Sequence, residues 1–453
     1  MRRSPLLILL CAGALSAVVA PAVARTAPRW VTGPLPVPYA KGTNSAAEPS
    51  IAASPDGTLW AAGNFFNPPC GNTVSGCGTD VWRSSNSGRS WVWVGNPFQA
   101  IPTSPSEGFG GYDVDVAVAP DRNPQGHYNI YITSLWTGEN SLAISRDSGK
   151  TWSVLPAATL ASATIDRPWL QADGACTAYL GSKEVLSDVT AVGTFNGCGD
   201  RPVLTGVVSA FPAGNRVRTG RFTVDTSARS PYQHTLYYPG VAESARRVVV
   251  SISTDRGATW TVREVADFTE GVFVPIWPIT VATDARGVVY VAWHDATTSY
   301  FASSRDGGRT WTKPFALHGP LHTGVYPTVA AMGDGTVAVA WYGTDREGPS
   351  DSISEMGAAT DPDAARWRLM IARSSDGGRR FGRAEAVTRP IHVGRVCVSG
   401  TGCMADGSRA LLDNFGLTFD TRGRLAGVFT NALPRVGNDR DGTHSDFIAE
   451  VSR

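Results

Sequence analysis

Apolar and polar residues alternate along most of this chain, in short runs broken by turn residues. "EPSIAASPDGTLWAAGNF" at 48–65 shows the design: one alternating run, a turn at Pro-Asp-Gly, then a second run. The design returns in "YDVDVAVAP" with "YNIYITSLW" (112–136), "DRPWLQADGACTAYLGSKEV" (166–185) and "RFTVDTSARSPYQHTLYYPG" (221–240). It returns again in "WPITVATDARGVVYVAWHD" (277–295), "YPTVAAMGDGTVAVAWYGTD" (326–345) and "DNFGLTFDTRGRLAGVFTNA" (413–432). Period-two alternation between turn signals predicts β-hairpins.

An octapeptide punctuates these hairpins. It reads "SSNSGRSW" at 84–91, "SRDSGKTW" at 145–152, "STDRGATW" at 253–260, "SRDGGRTW" at 304–311 and "SSDGGRRF" at 374–381. A unit is then a hairpin, a third strand ending at the octapeptide, and a fourth starting at its last aromatic residue. The long interval between the copies at 145 and 253 holds a unit without a copy. Four antiparallel strands repeated radially make a β-propeller blade. The expectation is an all-β propeller of seven four-stranded antiparallel blades, or six if one unit is irregular. The last unit ends with "HSDFIAEVS" at 444–452, one strand short. The early stretch "WVTGPLPVP" (30–38) is a spare strand that would close the ring and remove its edge.

Composition narrows the class. The chain has 453 residues, 17% of them charged, with net charge +1, which argues against a nucleic-acid partner. Its 49 glycines and 30 prolines suit many short strands and turns. "MRRS", the apolar stretch "PLLILLCAGALSAVVA" and the small residues "AVA" at 22–24 read as an export leader over 1–24. Residues 25–453 then form a single domain, secreted, with no membrane span and expected to be a monomer. Setting aside Cys11 in the leader, six cysteines remain as close neighbours: Cys70 and Cys77, Cys176 and Cys198, Cys397 and Cys403. Three local disulfides are expected; no two cysteines have the two-residue gap that zinc sites favour.

The octapeptide resembles the Asp-box, or bacterial neuraminidase repeat, of sialidase-like propellers. S-x-D-x-G-x-x-W is matched in full at 145–152, 253–260 and 304–311; Asn86 replaces Asp in the first copy and Phe381 replaces Trp in the last. The resemblance covers nearly the whole mature chain. It implies structural work for Asp147, Asp255, Asp306 and Asp376 and for Trp152, Trp260 and Trp311. The aspartates would accept hydrogen bonds from their own turns, and the indoles would pack between sheets.

Chemistry therefore belongs to residues that do not repeat. A propeller's concavity is the mouth of its central channel, lined by the starts of the innermost strands. Glu48, Asp113, Asp115, Asp166, Arg167, Tyr326, Asp413 and Asn414 stand there, and the next loops add His294, Asp295, Tyr342 and Asp345. Sialidases, as the resemblance implies, hold the substrate carboxylate with three arginines and use a Tyr nucleophile with an Asp acid/base. Arg167 is the best clamp candidate, Tyr326 the candidate nucleophile, and Glu48, Asp115, Asp166 and Asp413 candidate acids or bases. The Arg-Ile-Pro signature of sialidases is absent; the first unit reads "NSAAEPSIAAS". Arg346, Arg395 and Arg409 are candidates for the remaining arginines. Asp113 and Asp115 share a face, which could hold calcium or a sugar or simply be solvated. No other cofactor is expected. His294 and Asp295 are adjacent on a strand, so they point apart. The irregular stretch 196–220 reads as a lid or a loop.

The resulting expectation is a sialidase-like exo-glycosidase acting on terminal sugars of extracellular glycans. The alternative is a non-catalytic propeller that binds a polysaccharide or a protein, and a third is another carbohydrate-cleaving reaction on the same scaffold.

Overall fold

The computed structural model describes residues 29–37, 46–65, 79–98, 113–136, 139–156, 165–184, 186–199, 203–212, 216–242, 244, 246–271, 274–317, 321–399, 408–411, 413–433 and 443–451. The stretch 1–24 expected to be a leader, Cys70, Cys77 and Cys403 lie outside them.

Seven antiparallel sheets follow one another along the chain, each a blade of four strands counted from the channel outward. Blade one is Ala46–Ala53, Leu59–Phe65, Thr79–Ser84 and Val92–Gly95. The inner strands of blades two and three are Val114–Arg122 and Ile165–Asp173. Blade four opens with two short pieces, Arg218–Thr219 and Thr223–Val224, both paired to Leu236–Ala242. Ile276–Thr283, Thr323–Met332 and Gly416–Phe419 are the inner strands of blades five, six and seven. Blade seven takes its outermost strand, Arg29–Pro34, from the start of the chain, paired to His444–Val451. The expected seven-bladed ring and its closure by the early strand are both present.

The stretch 196–220 differs from expectation. Among its described residues it contains two strands: Val203–Ser209 is the outer strand of blade three, and Arg218–Thr219 begins blade four. The outer strand is exposed along nearly its whole length. With no face to bury, its sequence carries no alternation to read. Blade three also lacks the octapeptide. Its outer turn is instead tied by the Cys176–Cys198 disulfide to the turn of its own inner hairpin.

The core lies between blades. Tyr131, Leu142, Leu170, Leu180 and Phe195 join blades two and three, and Trp169, Phe222, Tyr238, Trp277 and Trp293 continue through blades four and five. Large aromatics suit this wedge-shaped gap because adjacent sheets fan apart from the axis. Each octapeptide closes on itself. Ser145 bonds Asp147, whose Oδ1 accepts the Thr151 N–H at 2.9 Å. Partial burial of Asp147 is outweighed by these donors, which pull its carboxyl down to about 2. A Cβ on Gly149 would come 2.4 Å from Trp60 of blade one, and its φ of +81° also requires glycine. Trp260 and Trp311 are half-buried rather than enclosed, and each donates its indole N–H to the glycine carbonyl of its own octapeptide at 3.1 Å.

Antiparallel pairing puts the octapeptides at one end of the channel and the starts of the inner strands at the other. Between them lies a cavity of about 430 Å³, walled by residues such as Val116, Ala172, Thr223, Thr280, Thr328 and Thr418.

Candidate functional site

Three inner strands begin with the same backbone irregularity. Glu48, Arg167 and Tyr326 have φ of 48°, 58° and 55°, and each precedes a proline. The strand register slips at each place: between Ala47 and Ser50, Asp166 and Trp169, and Val325 and Thr328. Blade five slips likewise between Ile276 and Thr280, around Trp277 and Pro278. A left-handed conformation costs a non-glycine residue about 1–2 kcal/mol, and the residue before proline is further restricted. Such strain clusters where a side chain must be aimed. Here each bulge turns one side chain out of the sheet alternation at the channel mouth.

Glu48 is the centre of the acidic side. Its Oε2 accepts from Asn64 Nδ2 at 3.1 Å and its Oε1 from the Asp413 N–H at 3.2 Å. Its own N–H donates to Thr430 Oγ1 at 3.2 Å. Burial, and then the neighbouring Asp413 carboxylate, push Glu48 up to about 7. Asp113 bonds Glu48 and is only half-buried. Burial of its carboxyl, followed by the charges of Glu48, Asp166 and Asp413, holds Asp113 well above the usual carboxylate range. The bond between the two side chains raises Asp113 and lowers Glu48, so Asp113 is the member of the pair that keeps its proton to higher pH. Asp413 receives Arg409 Nη2 at 2.5 Å.

Asp115 stands one step deeper and is wholly buried. It accepts Ser50 Oγ at 2.5 Å, Leu170 N–H at 2.8 Å and its neighbour Val116 N–H at 2.8 Å, and it pairs with Arg221 Nη2 at 2.5 Å. Blades one to four thus meet on one carboxylate, which plugs the channel beneath the mouth.

The opposite side is aromatic and cationic. Arg167 lies with Cζ 3.9 Å from the ring centre of Trp277, and its Nε is 3.6 Å from Asp166 Oδ2. Trp277 donates Nε1–H to the Thr219 carbonyl at 2.9 Å. The His294 ring contacts the Trp277 carbonyl through Nε2 at 3.2 Å, while Nδ1 accepts the Ala296 N–H. Burial drops His294 to about 3, so it is neutral and acts as a brace. Asp295 caps its own turn, accepting from Thr297, Thr298 and Tyr300, away from His294.

Tyr326 is buried between His294 and Tyr342, and its hydroxyl donates to the Cys397 carbonyl. Burial and the Asp413 charge keep the phenol protonated far above its usual range. Cys397 is disulfide-bonded. Tyr342 bonds the Thr430 N–H at 3.3 Å. Arg346 and Arg395 bind the carbonyls of Asp363 and Asp351 on the long loop of blade six rather than entering the mouth. Among the described residues, no group of three or more His, Cys, Asp or Glu is placed to hold a metal ion.

Position before an inner strand is the signal that names Glu48, Asp113, Asp166, Arg167, Tyr326 and Asp413, and the structure gathers all six at one end of the channel. Trp277 and Asn64 were missed. "WP" at 277 matches "EP", "RP" and "YP" at 48, 167 and 326, and that shared dipeptide could have found it.

No family model matches this chain, and no curated protein matches it. Among solved structures it is similar to a protein of unknown function from Dyadobacter fermentans (13% identity, TM-score 0.45, 93% of this chain and 98% of that one). It is also similar to the NanB sialidase from Streptococcus pneumoniae (10% identity, TM-score 0.44, 93% and 71%). A third is an alpha-L-arabinanase from Penicillium chrysogenum (14% identity, TM-score 0.47, 68% and 91%).

Proposed function

We propose that this protein is an exported glycoside hydrolase that removes terminal sugars from extracellular glycans. The observation that carries the reading is the carboxyl pair at the channel mouth. Asp113 touches solvent and is held protonated above the usual carboxylate range, Glu48 bonds it from behind, and Asp413 stays beside them in an ion pair with Arg409. Glycosidic cleavage needs a protonated carboxyl to release the leaving oxygen, and a second, charged carboxylate to meet the oxocarbenium-like centre or activate water. Asp113 fits the first role, and Asp413 or Asp166 the second. Export is supported by the leader and by the Cys176–Cys198 disulfide.

A tyrosine nucleophile has less support, because Tyr326 is buried, protonated and tied to a backbone carbonyl. The test is hydrolysis of fluorogenic glycosides, neutral sugars beside a sialoside, by the purified mature protein. Release by the wild type and its loss in Asp113→Asn supports the hydrolase. A folded protein that cleaves none of them, yet binds glycans on an array, establishes the non-catalytic binding propeller instead.

A further inference from the structure

We propose that the channel cavity is a second binding site, entered from the octapeptide end, for a small hydroxylated carboxylate that docks on Arg221. The site is separate from the carboxyl cluster of the mouth and does not depend on the hydrolase reading.

The space is there. A volume of about 430 Å³ is within the range of small-molecule sites, roughly 300–1,000 Å³. Pro55, Thr226 and Thr421, exposed in the inner hairpin turns, form the outer rim. On the mouth side the cavity reaches Val116 and Arg221, and none of Glu48, Asp113, Asp166 or Asp413 lines it.

The break in blade four puts Arg221 at that inner end. Residues 220–222 separate Arg218–Thr219 from Thr223–Val224. Gly220 presses on blade five, where a Cβ would lie 1.7 Å from the Ile279 carbonyl oxygen, and Arg221 bridges to Thr280. From there the guanidinium crosses to blade two. Its Nη2 binds Asp115 Oδ1 at 2.5 Å and the Val116 carbonyl at 3.3 Å. Among the described residues, Nε and Nη1 bond nothing, and the side chain is 23% exposed and lines the cavity. Asp115 has three other donors, from Ser50, Leu170 and Val116, so it leaves those nitrogens free.

Free guanidinium donors select an oxyanion. Nothing in the lining repels one: among the described lining residues the single carboxylate is Asp420, which is spent on the N–H groups of Arg422 and Arg424 and on Arg424 Nε. The walls specify the rest of the ligand. Gln171 and Thr223 are half-exposed and make no side-chain hydrogen bond among the described residues, while Ala52 and Val118 offer half-exposed apolar surface on blades one and two. A carboxylate at one end of a short carbon body that carries hydroxyls matches this set.

The test uses the mature protein with threonine methyls labelled with carbon-13, the Thr223 resonance assigned by Thr223→Val. The probes are D-gluconate, L-tartrate and L-lactate, with D-sorbitol as the neutral counterpart and inorganic phosphate as the oxyanion without a carbon body. The expected result is a Thr223 shift by at least one hydroxycarboxylate and none by sorbitol. Arg221→Lys keeps a charge for Asp115 and removes the spare donors, so its Kd should rise about tenfold or more. Gln171→Ala, whose side chain has no described partner to lose, should raise Kd several-fold, and it carries the test if Arg221→Lys does not fold. Silence of all three hydroxycarboxylates overturns the proposal. So does a shift by sorbitol or phosphate alone, or a Kd unchanged in the folded variants. A shift of Thr430, which bonds Glu48 at the mouth, with Thr223 silent places the ligand at the other end and also overturns it.

Discussion

At the scale of single residues, protons and buried charge decide what this mouth does. Asp113 must be protonated to act as an acid, and it keeps its proton to higher pH than Glu48, which ionises at about 7, so the rate should fall with rising pH only above about 7. Asp113→Asn should lower kcat/KM by about 100-fold or more and flatten that alkaline limb. A pH–rate profile that keeps its alkaline limb in Asp113→Asn would remove Asp113 from the acid role. The same shift has a stability sign. Glu48 binds its proton more tightly folded, at about 7, than unfolded, near 4.5, so the stability it contributes is complete below 4.5 and lost as pH rises to 7. Glu48→Gln should therefore gain stability relative to wild type at pH 8 and not at pH 4, by chemical denaturation at each pH. Asp115 behaves differently, since its four partners use it as a joint. Asp115→Ala should cost about 3–5 kcal/mol by leaving Arg221 without its carboxylate. Sequence position could list both aspartates of "DVDV" but not separate them. Alternation says only that they share a face, whereas the split between acid and joint depends on how far each reaches down the channel. Arg409 lies outside every alternating unit, and only its place four residues before Asp413 ties the two in sequence.

At the scale of elements, two devices finish the outer turn of a blade. Where the octapeptide is present, Ser, Asp and Gly lock a turn through their own backbone. In blade three the disulfide does that work, helped by Arg146 Nε and Asn129 Nδ2, which bind the Gly197 carbonyl at 2.7 and 3.4 Å from blade two. Asp306→Ala should cost about 1 kcal/mol, the size of a lost cap, and leave any catalysis unchanged because the turn is at the far end of the channel. The Cys176→Ser, Cys198→Ser double variant should cost about 3 kcal/mol, as expected for a loop whose ends are 22 residues apart. Thermal denaturation of both variants ranks the two devices; a smaller loss from the disulfide than from Asp306 would show that blade three is held by Arg146 and Asn129 instead. Elements were the most legible scale. Repetition makes each hairpin and octapeptide a check on the others, so one weak unit does not mislead. The reading failed at Val203–Ser209, where the outward-facing strand buries nothing and so has no pattern, and at the outer strands of blades five and six, which are two residues long and begin only at Phe315 and Glu385.

At the scale of the whole molecule, the ring is closed by the start of the chain. Arg29–Pro34 completes blade seven, yet its contacts reach three blades. Trp30 donates to Glu385 of blade six at 3.2 Å, under Arg373, whose Nη2 bonds Glu450 at 2.8 Å. Leu35 is fully buried and its N–H donates to the Ser445 carbonyl of blade seven at 3.0 Å. The carbonyl of Pro36 accepts from Trp82 of blade one at 2.5 Å. The early stretch is therefore a clasp across the junction of first and last blades, which no other covalent link crosses among the described residues. A mature chain starting at residue 38 loses burial of Trp30 and Leu35, about 2 kcal/mol each, and the strand ladder besides, on the order of 5 kcal/mol in all. It also leaves His444–Val451 as an unpaired edge, a template for pairing with other chains. Such a truncation should unfold well below the intact protein and aggregate on heating. Supplying the missing stretch as a peptide of residues 29–37 should restore part of the loss, because the groove between blades six and one is otherwise formed. If the truncated chain melts at the intact temperature without the peptide, closure depends on the blade interfaces alone and the clasp contributes nothing measurable.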